Sequence, residues 1–157
     1  MKKTLTTLAL TALFAVPALA EGDIEAGKKV FNQCQTCHVV VNDAGETLAG
    51  KKAKTGPNLY GIIGRAAASY PDFKYGDGII EAGAKGLVWD EAQLAEYVQN
   101  PTGFLETFTG DPKARGMMMF KLKKPEDAAN VAAFLASLAP APAADAAAAP
   151  AAAAPAP

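Results

Sequence analysis

The pentapeptide Cys34-Gln35-Thr36-Cys37-His38 holds the residues best suited to chemistry in this chain. Two cysteines separated by two residues and followed by histidine have the spacing of a c-type haem attachment site. Each thiol adds to one vinyl group of the porphyrin, and the histidine is carried under the ring, where an imidazole nitrogen can bind iron. The motif therefore predicts one haem c bound covalently through Cys34 and Cys37, with His38 as an iron ligand.

Two other uses of such a motif, a redox-active dithiol and a structural zinc site, fit this sequence less well. A redox-active dithiol is expected within a thioredoxin-like βαβ pattern, which the sequence does not have. A structural zinc site needs four ligands, and only three residues of suitable type lie close together here. His38 is the only histidine of the chain, and Cys34 and Cys37 are its only cysteines, so no second cluster is available.

The first twenty residues have the composition of a secretory signal peptide. Lys2 and Lys3 form a basic start, an apolar stretch from Leu5 to Val16 follows, and Ala18-Leu19-Ala20 matches an Ala-x-Ala cleavage site. The apolar stretch is too short for a membrane span. We therefore expect cleavage of residues 1–20 and export to the periplasm, where covalent haem attachment takes place in bacteria.

The rest of the chain predicts one domain and a tail. Residues 21–139 have the commonest size of a single domain. Residues 140–157 contain only alanine, proline and one aspartate, so they predict a disordered tail. Removing residues 1–20 leaves 13 basic and 16 acidic residues, a net charge of −3. This balance excludes nucleic-acid binding based on bulk positive charge.

Within the domain the patterns are helical and strand signals are weak. Asp23 and Asp90 are candidate N-caps, Gln93 completes a capping box, and Pro125 suits a first helical turn. The helices are predicted from Asp23 to the cysteines, from Gly78 to Ala84, from Asp90 to before Pro101, and from Pro125 to before Pro140. The sequence thus predicts an all-α fold whose long loops wrap a haem.

A sixth iron ligand must come from a residue other than histidine. Three successive methionines, Met117, Met118 and Met119, precede Phe120 late in the chain. Methionine is usually a core filler, but three neighbours cannot all face one core. One of them is therefore a candidate iron ligand, although spacing alone does not say which.

These motifs together resemble a soluble class I cytochrome c of the bacterial cytochrome c2 or c550 type. The resemblance covers roughly residues 22–139 and implies the class I cytochrome c fold. Stretches 38–57 and 101–118 are longer than in mitochondrial relatives, and Met117 stands where many relatives have lysine. The matching segments are residues 27–31, 34–38, 55–61, 64–65 and 73–75, Trp89, Tyr97, residues 100–101, and Met118 with Phe120.

The resemblance implies roles for individual residues. His38 corresponds to the proximal ligand, whose second ring N–H donates to the carbonyl of Pro57. Met118 corresponds to the distal ligand, because the family places its methionine two residues before the phenylalanine. Tyr97 corresponds to a buried tyrosine whose hydroxyl faces the methionine sulfur.

Further residues of the motifs are implied to surround the haem or to pack the helices. Arg65, Tyr75 and Trp89 correspond to groups that hydrogen-bond the haem propionates, although plain packing is the alternative for each aromatic residue. The crossing of the first and last helices is implied to be formed by Gly27, Phe31, Val131 and Phe134.

The implied function is electron transfer rather than catalysis. A monomeric carrier with both axial positions filled would shuttle electrons from a cytochrome bc complex to a reaction centre or a terminal oxidase or reductase. A peroxidase or a gas-binding protein is the alternative if no methionine binds iron. Transient docking on membrane-bound complexes would use basic residues near the haem motifs: Lys28, Lys29, Lys51, Lys52, Lys54, Lys113, Arg115, Lys121, Lys123 and Lys124.

Overall fold

The computed structural model describes residues 22–140, and the predicted signal peptide and nearly all of the predicted tail lie outside this range. Between these limits the chain forms five α-helices and one two-stranded antiparallel sheet, which confirms a mainly helical fold. The elements are α1 (Ile24–Phe31), β1 (Val39–Val41), β2 (Thr47–Gly50), α2 (Asp77–Ala84), α3 (Glu91–Gln99), α4 (Pro101–Thr109) and α5 (Pro125–Ser137).

Helices α1 and α5 cross at close range and form the base of the core. Asp23 caps α1 by accepting the N–H of Ala26 at 2.8 Å. A Cβ on Gly27 would lie 2.7 Å from the Cβ of Phe134, so only glycine allows this approach. The rings of Phe31 and Phe134 pack at 5.7 Å between centroids. The crossing expected from Gly27, Phe31 and Phe134 is therefore present, and Val131 is buried in it.

The chain between α1 and α2 is mostly loop, stabilised by a short hairpin. Strands β1 and β2 pair Val39 with Gly50 and Val40 with Ala49. Val40 is fully buried, so the hairpin attaches the loop to the core. This hairpin was not predicted, because three- and four-residue strands are too short to show a clear alternation.

Helices α3 and α4 follow one another almost without a break. The predicted capping box of α3 is present: Asp90 accepts the N–H of Gln93 at 2.7 Å, and Gln93 accepts the N–H of Asp90. Helix α3 ends at Gln99, as its following proline indicates. Pro101 then begins α4, a helix that the sequence analysis missed, because proline fits the first position of a helix as readily as it ends one.

The apolar core takes residues from all five helices, including the fully buried Ala82 of α2, together with the loops between them. None of the helices within residues 22–140 combines the length and apolar character needed to cross a membrane.

Candidate haem site

The cysteines and the histidine lie in a turn that continues directly from α1. The N–H of Cys34 donates to the carbonyl of Phe31 at 2.8 Å, so the helical path does not break at the end of α1. The N–H groups of Cys37 and His38 then both donate to the carbonyl of Cys34, at 3.1 and 2.9 Å. One turn therefore holds both thiols and the imidazole, which is the arrangement that covalent haem attachment requires.

The ring of His38 is held by the loop that follows the hairpin. Its Nδ1 lies 2.9 Å from the carbonyl oxygen of Pro57, and this oxygen can only accept, so Nδ1 carries the proton and donates. Nε2 is then the unprotonated nitrogen, free to bind a metal. Burial lowers the pKa of His38, and the hydrogen bond to Pro57 opposes this effect. The neutral imidazole is therefore the form that this site holds.

Gly56 makes room for that ring. A Cβ at this position would lie 2.5 Å from Nδ1 and 2.8 Å from Nε2 of His38. The N–H of Gly56 donates to the carbonyl of Cys37 at 2.8 Å, which ties the loop to the haem-attachment turn. Gly56 belongs to the matching segment 55–61, but the sequence alone assigned it no role.

The thiol of Cys34 does not have the lowered pKa of a redox-active dithiol. Burial, with a smaller contribution from Cys37, raises the pKa of Cys34 to about 11. A catalytic dithiol needs a lowered pKa so that a thiolate is available near neutral pH. Both cysteines are free in this structure, and Cys34 packs against the hydrophobic core. These properties favour haem attachment over thiol redox chemistry.

Asn58 holds the 56–61 loop in place and was also missed. Its side chain accepts the N–H of Val41 at 2.9 Å and donates to the carbonyl of Val41 at 2.7 Å, which mimics a strand pairing. It also accepts the N–H of Tyr60 at 3.1 Å. This clamp on β1 positions the carbonyl of Pro57 under His38.

Arg65 extends the same network. Its guanidinium donates to the carbonyls of Asn58 and Tyr60 at 2.8 and 3.0 Å and lies 5.3 Å from the ring centroid of Tyr70. Burial lowers the pKa of Arg65, while Tyr75 and Tyr70 oppose this shift. Because an arginine has five N–H groups, two backbone contacts leave donors for a carboxylate. A propionate contact therefore remains a prediction that this geometry permits.

Tyr75 lies near Arg65 and packs edge-on against Phe73 at 4.8 Å. Burial raises the pKa of Tyr75, and a backbone hydrogen bond from Tyr70 and the charge of Arg65 oppose the rise. Its hydroxyl thus keeps its proton at neutral pH and can donate. A propionate is one acceptor it could serve.

Trp89 and Tyr97 form part of a buried aromatic wall. Their rings meet edge to face at 5.0 Å, and each lies 5.8 Å from the ring of Phe104. Phe104 stacks in turn on Phe108 at 6.0 Å. Burial raises the pKa of Tyr97 to about 12, with a further contribution from Tyr75. Phe104 and Phe108 were missed together with α4, although their spacing of four residues after a proline is typical of one helical face.

The three methionines differ in their exposure to solvent. Met117 is 68% exposed and Met119 is 84% exposed, whereas Met118 is half-buried and packs against the hydrophobic core. Alternate residues of an extended segment point to opposite sides, so Met118 faces inward and its neighbours face outward. Of the three candidate ligands, Met118 alone has the orientation that an interior ligand needs.

The donor set fits a covalently attached haem. One turn presents two thiols and a neutral imidazole with a free Nε2, and Met118 presents a soft thioether from the core side. Every buried side-chain nitrogen or oxygen of the described residues has a hydrogen-bond partner. An apolar ring can therefore pack here without burying an unpaired polar atom.

Comparison with known proteins supports this interpretation. The family model for cytochrome c matches residues 24–139. Cytochrome c2 of Cereibacter sphaeroides is 61% identical over 136 residues, which are 85% of this chain and 94% of that protein. Cytochrome c-550 of Paracoccus versutus is 50% identical over 137 residues, or 85% and 86% of the two chains. The crystal structure of cytochrome c2 from Rhodobacter sphaeroides has a TM-score of 0.75 and 62% identity, and the match covers 78% of this chain and all of that one.

The residues matched by the family model include the haem-attachment turn and the methionine segment. The cofactor predicted from the pentapeptide is confirmed: the protein carries one covalently attached haem c. The chain therefore belongs to the cytochrome c family, and within it to the class I bacterial cytochromes of the c2 type.

Proposed function

We propose that the protein is a monomeric periplasmic electron carrier that receives an electron from one membrane-bound complex and delivers it to another. As a member of its family it is a single-haem electron carrier with redox partners. The inward orientation of Met118 between two exposed methionines is the observation that supports transfer of electrons without binding of a substrate to the iron. His38 and Met118 would both hold the iron, and no position on it would then be left for a substrate.

The chain's own residues favour the reduced state. Bound haem c supplies an iron that exchanges one electron between its ferric and ferrous states. The thioether of Met118 is a soft donor that prefers the ferrous state, and the buried wall of Trp89, Tyr97 and Phe104 disfavours additional positive charge. The hydrogen bond from His38 to Pro57 acts in the opposite direction, because it makes the imidazole a stronger donor.

The rival functions need an open iron position. A peroxidase also needs a distal acid–base group, and the sequence has no second histidine to supply one. A gas-binding protein needs a sixth site that a ligand can enter. The inward orientation of Met118 argues against both functions. A protein without a Met118–iron bond would again be open to either of them.

The surface around the methionine segment fits docking on acidic partners. Phe120 and Met119 are exposed, and Lys123 and Lys124 follow them as exposed cations. An apolar centre with a basic rim suits a brief, electrostatically steered complex. Donor and acceptor are proposed to be a cytochrome bc complex and a reaction centre, oxidase or reductase. The periplasmic location rests on the signal peptide predicted in residues 1–20.

Two small redox reagents of opposite charge test whether local charge governs electron exchange. The mature chain has a predicted net charge of −3, so net charge alone would attract a cation and repel an anion. If the basic rim governs, oxidation of the ferrous protein by hexacyanoferrate(III) should slow as salt rises, and oxidation by tris(phenanthroline)cobalt(III) should accelerate. Screening acts over about 8–10 Å near physiological ionic strength. Stopped-flow rates across a salt series measure both trends.

A matched pair of variants locates the effect. Lys123→Gln and Gln93→Glu both lower the net charge by one, but Gln93 lies in the first turn of α3, at the end away from the methionine segment. Glutamate also preserves the capping box. Lys123→Gln should slow the anionic reagent more than Gln93→Glu. Lys85 is unsuitable as a control because its ammonium bonds Glu81 and the carbonyl of Thr109. Equal effects, or salt trends of the opposite sign, would contradict docking through this surface.

A further inference from the structure

Two polar side chains at the junction of α3 and α4 hold the two ends of the methionine segment. Before the methionines, Thr102 Oγ1 accepts the N–H of Gly116 at 3.2 Å. After them, Asn100 Oδ1 accepts a hydrogen bond from Lys121 Nζ at 2.6 Å. Asn100 and Thr102, the junction pair, thus bracket Met118 from one corner of the fold, where α3 meets α4.

The corner itself is tightly packed. A Cβ on Gly103 would lie 2.9 Å from Cγ of Asn100, so the absence of a side chain at Gly103 makes room for the amide. The backbone carbonyl of Asn100 accepts the N–H of Phe104 at 2.9 Å, which fixes the start of α4. A Cβ on Gly116 would lie 3.2 Å from Cβ of Pro101, so the start of the methionine segment packs directly against this corner.

Beyond the junction pair, the segment also contacts the start of α2, because a Cβ on Gly78 would lie 2.7 Å from the backbone nitrogen of Arg115 and one on Gly76 would lie 2.7 Å from Cγ of Met117. Leu122 is buried, and its N–H donates to the carbonyl of Val98 at 2.9 Å. Between Gly116 and Leu122 the flanking residues Met117, Met119 and Phe120 are exposed. Apart from its own packing against the core, Met118 therefore depends on the contact of Arg115 and Met117 with α2 and on the anchors at the two ends of this short, largely exposed segment.

We infer that the junction pair positions Met118 and limits how often its sulfur leaves the sixth iron position. The inference rests on the proposed role of Met118 as iron ligand. Asn100 and Thr102 are positioning residues, since they act through Gly116 and Lys121 and not on the iron. A looser segment would let Met118 swing outward, where its neighbours already lie in solvent. The pair would thereby keep the sixth site closed to other ligands and keep the reduction potential high.

The basic residues near Met118 fall into two groups by role. Lys121 directs its ammonium to Asn100, and Arg115, one residue before Gly116, forms an ion pair with Glu106 of α4. Both were expected to act as part of a steering ring. Their contacts assign them to the support of the methionine segment, and leave Lys123 and Lys124 beside it for steering.

Imidazole binding to the ferric holoprotein measures how often the sixth position opens. Thr102→Val removes the acceptor at one end, and Lys121→Met removes the donor at the other while leaving Asn100 and Thr102 in place. Loss of one hydrogen bond of ordinary strength, about 1 kcal/mol, corresponds to about fivefold tighter apparent imidazole binding. The methionine–iron charge-transfer band of the ferric protein should also disappear at lower temperature. Thr102→Ser keeps a hydroxyl and should restore the wild-type values.

Thr109→Val is the matched control at the other end of α4. Thr109 Oγ1 accepts the N–H of Asp111 at 3.1 Å, so this variant also removes a hydroxyl that holds the same loop, but away from Met118. It should leave imidazole binding within about twofold of wild type even if it lowers the unfolding temperature. Equal effects of Thr109→Val and Thr102→Val, or no effect of Lys121→Met, would overturn the inference. A wild-type protein without the charge-transfer band would instead overturn the proposed ligation itself.

Discussion

Replacing Gly56 by alanine would place a methyl group against the ring of His38. The new Cβ would lie 2.5 Å from Nδ1 and 2.8 Å from Nε2, while ordinary contact begins near 3.4 Å. The ring must therefore retreat by about 1 Å, since carbon contacts relax only near 3.5 Å. Nδ1 lies 2.9 Å from the carbonyl of Pro57, so a retreat of this size stretches or breaks that hydrogen bond.

The expected cost follows from these two effects. Overpacking of a filled site costs about 1–3 kcal/mol, and the loss of one hydrogen bond costs about 1 kcal/mol. A destabilisation of about 2–4 kcal/mol corresponds to a fall in melting temperature of about 8–16 °C for a domain of this size. The imidazole would also become a weaker donor, which should raise the reduction potential, because the ferric state loses more stabilisation than the ferrous state.

Gly61→Ala is the matched control in the same loop. Gly61 has a φ of +63°, and nothing lies within 4 Å of a Cβ built on it. Alanine there costs only the backbone strain, about 1–2 kcal/mol, and should not change the potential. Thermal unfolding followed by circular dichroism and spectroelectrochemical titration of both holoproteins provide the measurements. A Gly56→Ala protein with the stability of Gly61→Ala and an unchanged potential would refute the role assigned to Gly56.

Two further predictions concern the haem linkage and the tail. In the double variant Cys34→Ala and Cys37→Ala no thioether can form, so acidified acetone should extract any haem; haem that stays with the polypeptide would disprove attachment through these thiols. Deletion of residues 141–157 should leave the melting temperature and the reduction potential nearly unchanged, because alanine and proline offer little apolar surface for packing. A clear fall in melting temperature would show that the segment packs on the domain.

Features that depend on local residue type could be predicted from the sequence. The haem motif is contiguous, and the capping box of α3 is written in four residues, Asp90 to Gln93. The crossing of α1 and α5 at Gly27 followed from the family resemblance, since a single glycine in a helix does not by itself indicate a contact partner 103 or more residues away.

Features that depend on tertiary contacts could not be predicted. Pro101 was taken as the end of a helix, whereas it also begins α4, and only the packing of Phe104 on Trp89 and Tyr97 decides between these two roles. The same holds for Asn58, whose side chain bonds the backbone of Val41, 17 residues earlier. Contacts between segments that are distant in the chain form only in the folded state, so they produce no periodic pattern of residues in the sequence.

The methionine segment illustrates the difference most clearly. The residues alone indicated that one of three methionines binds iron, and the family pattern selected Met118. The structure reaches the same residue from exposure, because Met117 and Met119 lie in solvent and Met118 packs on the core. Burial is a property of the fold, so it provides an independent argument for the same ligand.

The methionine–iron charge-transfer band of the ferric protein, at the red end of the visible spectrum, tests the central claim most directly. The wild type, Met117→Leu and Met119→Leu should all show the band, since these leucines replace exposed side chains of similar volume. Met118→Ala should lose it, show a lower reduction potential, and bind carbon monoxide in the ferrous state. A band that survives in Met118→Ala, or that disappears in Met119→Leu alone, would contradict the account of this site as a closed His38–Met118 electron-transfer centre.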